Sequence, residues 1–83
     1  MKVVLEKQAA KYLESLDAVM KRRIIKALKN LADEPPAGDI KRLQGQEAAY
    51  RLRIGNYRIL FKDKLSCIAV YKIGPRGQIY KEN

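Results

Sequence analysis

Five side chains in the C-terminal half hold the chemistry this chain can offer: Arg51, Arg53, Arg58, Arg76 and Tyr80. Guanidinium groups bind phosphate through paired hydrogen bonds and stabilise negative charge that builds at phosphorus. Composition closes other routes. The chain has no histidine, which excludes a histidine-based nuclease, a serine– or cysteine–histidine nucleophile and the ordinary zinc sites. Its nine carboxylates show no clustered spacing of the kind that holds Mg2+ for two-metal phosphodiester cleavage. Gly74-Pro75-Arg76-Gly77 matches no glycine-rich nucleotide loop. No metal and no cofactor are therefore expected.

Arginines and a phenol suffice for one kind of phosphodiester cleavage. RNA carries its own nucleophile, a 2′-hydroxyl that can attack the neighbouring phosphate. A protein must align that hydroxyl, take its proton, neutralise the pentacoordinate dianion and help the 5′-oxygen leave. Arginines supply the neutralisation. The proton steps are harder, because free tyrosine has a pKa of about 10 and arginine stays protonated above about 12. Cationic neighbours favour a phenolate, which makes Tyr80, if it folds back among Arg51, Arg53, Arg58 and Arg76, a possible base.

These residues must be positioned by strands. Tyr50-Arg51-Leu52-Arg53-Ile54 and Tyr57-Arg58-Ile59-Leu60-Phe61 alternate with period 2 around Gly55-Asn56, a pair suited to a tight type II′ turn. A two-residue loop sets Ile54 opposite Tyr57, Leu52 opposite Ile59 and Tyr50 opposite Phe61, three apolar pairs on one face. On the other face Arg53 stands opposite Arg58, with Arg51 two residues along. Like charges directly opposite destabilise a sheet, so three guanidiniums together suggest a site awaiting an anion; the plain alternative is a solvated strand face. Tyr50, Tyr57 and Phe61 read as core.

The charge balance agrees with an anionic partner. Eighteen basic and nine acidic side chains give a net charge of +9, which favours nucleic acid or an acidic protein over a neutral metabolite. Residues 1–40 carry 8 basic and 6 acidic groups, residues 41–83 carry 10 and 3. The excess therefore belongs to the strand-rich half. Eighty-three residues make one small domain, 1–83, with a single modest core. Cys67 is the only cysteine and reads as a small buried hydrophobe, which argues against a disulfide-stapled secreted domain. No stretch approaches the roughly 18 apolar residues of a membrane span, so a cytoplasmic location and no membrane partner are expected.

The remaining elements follow from periodicity. Lys2-Val3-Val4-Leu5 reads as a first strand. A helix is expected over 6–16, with Ala9, Leu13 and Leu16 on one face. Asp17 is the candidate N-cap of a second helix over 18–32, whose apolar stripe is Met20, Ile24, Ala27, Leu28 and Leu31. Lys21, Arg22, Arg23, Lys26 and Lys29 fill the rest of its circumference as a solvated face, with nucleic-acid contact as the alternative. The pattern stops at Asp33-Glu34-Pro35-Pro36. Residues 39–43 read as a short strand, 67–73 as another and 78–81 as a terminal extended piece. With Arg58 beside Ala69, Ile68 and Val70 join the core face and Ala69 leaves room for the arginines. Tyr71 either lines a groove there or covers the sheet edge. The expected fold is α+β: an N-terminal strand, an antiparallel two-helix hairpin, then a mainly antiparallel twisted sheet packed on the helices, its other face open and cationic.

Three stretches together resemble the RelE branch of the RelE/ParE toxin superfamily: Lys41-Arg42-Leu43-Gln44-Gly45, the hairpin from Tyr50 to Phe61, and Ile73-Gly74-Pro75-Arg76-Gly77-Gln78-Ile79-Tyr80. Their order and spacing agree along the whole chain. The resemblance implies the RelE/ParE-like microbial RNase fold and the toxin of a type II toxin–antitoxin system. It further implies a messenger RNA endoribonuclease that cuts in the ribosomal A site by 2′-hydroxyl attack. By that resemblance Arg51 and Arg53 engage the scissile region and Arg58 stabilises the transition-state phosphate. Arg76 would stabilise the transition state or protonate the leaving group, and Tyr80 would orient the 2′-hydroxyl or act as base. Lys41, Arg42, Lys72 and Lys81 are the expected further RNA contacts. The implied partners are a RelB-like, partly acidic antitoxin, messenger RNA and the ribosome. This chain has Arg51 and Arg53 where the best-studied pattern has lysines, and arginine cannot serve as a lysine-type base, which leaves Tyr80 or a charge-only mechanism. A ParE-like poison of DNA gyrase and a non-catalytic RNA- or protein-binding module on the same fold are the competing functions.

Overall fold

The computed structural model describes residues 2–33 and 37–79. The elements run β1 (Lys2–Leu5), α1 (Lys7–Glu14), α2 (Ala18–Leu31), β2 (Asp39–Arg42), β3 (Ala49–Ile54), β4 (Tyr57–Asp63) and β5 (Cys67–Pro75). The strands form one sheet in the order β1-β5-β4-β3-β2. β1 runs parallel to β5 and every other neighbouring pair is antiparallel.

Both helices lie on one face of this sheet. Ala9 and Leu13 of α1 and Ile24, Leu28 and Leu31 of α2 are buried against Leu52, Ile59, Phe61, Ile68, Val70 and Ile73. Met20, Ala27 and Leu16 complete the two apolar stripes as partly buried neighbours. The Asp17 side chain caps α2 by accepting the Met20 N–H at 2.8 Å. Both helices are shorter than their apolar periods suggest. α1 ends at Glu14, where Ser15 bonds back to Tyr12, and α2 ends one residue before Ala32.

The hairpin has the expected register, from Ile54 opposite Tyr57 to Tyr50 opposite Phe61. Gly55 has a φ of +55° while Asn56 does not enter the positive region, which is the type II′ pattern. Tyr50 stacks on Phe61 with ring centroids 5.6 Å apart, and Tyr57 packs by Tyr12 at 6.5 Å. These aromatic residues are core, as expected.

β5 departs from a single register. Phe61 pairs with Val70 but Leu60 pairs with Lys72, so Tyr71 is an extra, bulged residue. Before the bulge Ile68 and Val70 face the helices; after it Ile73 does, and Lys72 and Gly74 turn to the opposite side. Ala69 consequently lies beside Lys62, and the residue beside Arg58 is Gly74 rather than Ala69. β1 pairs with β5 only as far as Val70, with Glu6 adding one bond to the Val70 carbonyl. Gln8 of α1 takes over the edge. Its Oε1 accepts the Ile73 N–H at 3.1 Å and its Nε2 donates to the Ile73 carbonyl at 3.4 Å.

The face away from the helices is only partly open. Ala49, Leu60 and Ala69 are buried there, together with Ile79. Residues 76–79 form a turn, not an extended piece: the Gln78 and Ile79 N–H groups both donate to the Pro75 carbonyl. Ile79 folds back over Gly74, where a Cβ would meet Ile79 Cδ1 at 3.2 Å. Cys67 is half-buried at the start of β5, less enclosed than expected.

Candidate functional site

The register sets the site. Arg53 and Arg58 are direct cross-strand partners, and Arg51 lies opposite Leu60 on the same face. β2 adds Asp39 opposite Arg53 and Lys41 opposite Arg51. Arg42 pairs with Tyr50, so its strand position belongs to the other face, at the sheet's edge. Lys72, opposite Leu60, shares the arginine face. Tyr80 and Lys81 lie outside the described residues.

The arginines are not equivalent. Asp39 straddles two of them, with Oδ1 3.9 Å from Arg51 Nη2 and Oδ2 3.7 Å from Arg53 Nη1. The expectation of three uncompensated guanidiniums is thus corrected: a carboxylate from the edge strand offsets part of the repulsion. These are long pairs at a half-exposed carboxylate, each worth about 0–1 kcal/mol. Asp39 escaped sequence reasoning because a loop, not a tight turn, joins β2 to β3 and leaves their register open. The alternation of Asp39 and Lys41 on one face was the available signal.

Arg58 is different. It is 8% exposed, and its Nη1 donates to the carbonyls of Gly55 at 2.9 Å and Tyr57 at 3.1 Å. No carboxylate pairs with it among the described residues. Neutral carbonyl dipoles hold the side chain in place without cancelling its charge. A buried cation usually has an anionic partner; this one is oriented and left positive.

Two further arginines come to the same end of the hairpin. The Arg76 N–H donates to the Asn56 carbonyl at 2.7 Å, which docks the turn after β5 on the hairpin tip. Gly74, beside Arg58, gives the room for Ile79 to close over it. Arg23 of α2, read from sequence as part of a solvated face, reaches the tip as well. Its Nη2 would stand 3.5 Å from a Cβ on Gly55. Nothing in helical periodicity could have singled it out. The side chains of Arg58 and Arg23 and the backbone of Arg76, from three separate elements, therefore meet around Gly55-Asn56; guanidiniums so placed are suited to binding a phosphate and stabilising added charge on it. Among the described residues no three of cysteine, aspartate and glutamate lie close enough to hold a metal ion.

The chain was also compared with known proteins. A family model described as the ParE toxin of the type II toxin–antitoxin system parDE matches residues 3–80. Comparison with curated proteins gives no match. Among solved structures, a chain of the archaeal RelE–RelB complex from Pyrococcus horikoshii OT3 is 31% identical. Its TM-score is 0.77, covering 93% of this chain and 96% of that one. A chain of the RelB–RelE antitoxin–toxin complex from Methanococcus jannaschii is 28% identical, with a TM-score of 0.74 and coverages of 93% and 94%. The toxin–antitoxin complex RelBE2 from Mycobacterium tuberculosis shares the fold at 18% identity, with a TM-score of 0.74 and coverages of 90% and 96%.

Proposed function

This chain belongs to the ParE toxin family, within the RelE/ParE superfamily of type II toxin–antitoxin toxins, and we propose that it is a ribosome-dependent messenger RNA endoribonuclease. The observation that carries this reading is Arg58: buried, aimed by two carbonyls, unneutralised by any described carboxylate, and flanked by Arg53 and the turn of Arg76. In this reading the scissile phosphate sits on Arg58. The 2′-hydroxyl attacks phosphorus, the P–O5′ bond breaks, and the 2′,3′-cyclic phosphate and a 5′-hydroxyl are the products. Arg58 and Arg76 neutralise the pentacoordinate dianion. Arg51 and Arg53 hold the flanking backbone, and Lys41 and Lys72 extend the cationic track on that face. Tyr80 takes the 2′-hydroxyl proton or orients that group. Action on the ribosome would place the protein in the cytoplasm.

The partner that restrains it is a RelB-like antitoxin, as in the archaeal complexes. Two apolar grooves on the helix side suit such a chain. One lies between Val3, Leu5, Ile25 and Leu28, the other over Ile40, Tyr50, Phe61 and Ile68.

The ParE family match favours a second reading, poisoning of DNA gyrase without RNA cleavage. Primer extension on a reporter message in a translation extract separates the two. Cuts inside A-site codons, lost in Arg58→Ala and Arg76→Ala, are the expected result. Intact message accompanied by DNA double-strand breaks would establish the gyrase reading instead.

A further inference from the structure

Phosphate recognition leaves one feature of the arginine face unused. Away from the hairpin tip, past Arg51, the surface sinks into a hollow of about 380 Å³. Its buried lining is apolar: Leu60 and Ile79, 5% and 2% exposed. Leu43 and Tyr71 are half-buried against it, and the exposed Gln44 and Gln46 of the loop between β2 and β3 stand at its rim. Tyr71 follows Ala69 onto this side by alternation, the bulge it forms brings Lys72 to the same side, and Lys62 lies 5.7 Å from the Tyr71 ring centroid. Bulges commonly re-aim a side chain beside a functional site.

A pocket with an apolar floor, an aromatic side, the half-buried Lys72 and a rim of amides suits a flat heterocycle with a hydrogen-bonding edge. Each glutamine amide both donates and accepts, so the rim can match a base edge. The placement argues the same way. Leu60 and Arg58 share a strand face two residues apart, about 7 Å along β4, the scale on which one nucleotide spans from phosphate to base. Resting on the ribonuclease reading above, we propose that this hollow is a nucleobase subsite. Gln44 and Gln46 read the base edge, the Tyr71 ring packs on the base, and the loop between β2 and β3 sets which message sequences are cut.

The test uses purified ribosomes programmed with a message library that presents every codon in the A site, with the cut ends sequenced. Wild type should show a preference at one codon position. The double variant Gln44→Ala/Gln46→Ala should flatten that preference about tenfold, the size of a lost base-edge contact, by lowering cleavage at the preferred codons. Tyr71→Ala should lower cleavage and Tyr71→Phe restore it, since packing needs the ring alone. An unchanged codon profile in the glutamine variant would overturn the proposal, and so would a uniform fall across all codons, the mark of a loop that only touches the ribosome. Absence of cleavage by wild type is a separate result. It would remove the ribonuclease reading, and the subsite with it.

Discussion

At the scale of single residues, partners distinguish the arginines better than proximity does. Arg51 and Arg53 share Asp39, whereas among the described residues Arg58 has the carbonyls of Gly55 and Tyr57 and no carboxylate. Arginines already facing a carboxylate bind RNA phosphate against competition; one held by neutral dipoles does not. Asp39→Asn should therefore tighten binding of a short, 2′-O-methylated RNA several-fold at low salt, with stability changed by less than about 1 kcal/mol. Fluorescence anisotropy across a salt series measures the first and urea unfolding the second. Weaker RNA binding would show that Asp39 organises the arginines rather than competing with the ligand. The opposed pair Arg53 and Arg58 was legible in the sequence, because Gly55-Asn56 dictates the hairpin register. The carbonyl hold on Arg58 was not, since it depends on which rotamer the tip admits.

At the scale of elements, the bulge at Tyr71 is what the alternation of 67–73 could not disclose. One inserted residue changes which side every later side chain faces, yet it leaves no mark in a run as apolar as Cys67-Ile68-Ala69-Val70. Ile73, which unbroken alternation would put on the arginine face with Ala69 and Tyr71, is thereby brought into the core. The Gln8 amide, bonded to both polar backbone groups of Ile73, holds β5 past the bulge and beside Gly74. Gln8→Ala leaves those groups without their side-chain partner and should cost about 1–2 kcal/mol. The loss is measurable as a lower denaturant midpoint and faster hydrogen exchange at the Ile73 amide. α1 also carries Tyr12, whose pKa is raised above 10.0 by burial first and by neighbouring Tyr57 second. A raised phenol pKa gives stability that is complete below about 10 and lost as pH climbs through the folded value. Alkaline unfolding should thus begin above pH 10 and move to higher pH in Tyr12→Phe, followed by circular dichroism against pH.

For the whole molecule, order of elements, two-helix cover and mainly antiparallel sheet all followed from periodicity and turn chemistry. The position of residues 76–79 did not. Their return across the sheet depends on Ile79 finding Gly74, a contact far from anything local pattern records. The net charge of +9 sits mostly on the strand-rich half, while apolar grooves lie on the helix side. A partly acidic antitoxin that engages both should bind more weakly as salt rises, yet keep an apolar component. Titration calorimetry from low to high salt checks this: affinity falls, and the negative heat-capacity change persists. Salt-independent affinity would limit the interface to the helix side.

The claim on which the functional reading stands is that the carbonyl-held guanidinium of Arg58 stabilises the phosphate transition state. Single-turnover cleavage on programmed ribosomes, wild type against Arg58→Ala, tests it most directly. The rate should fall about 10²–10³-fold, with ribosome affinity unchanged within a few-fold. Equal rates for the two proteins, or an uncut message alongside gyrase-dependent DNA breaks, would contradict it.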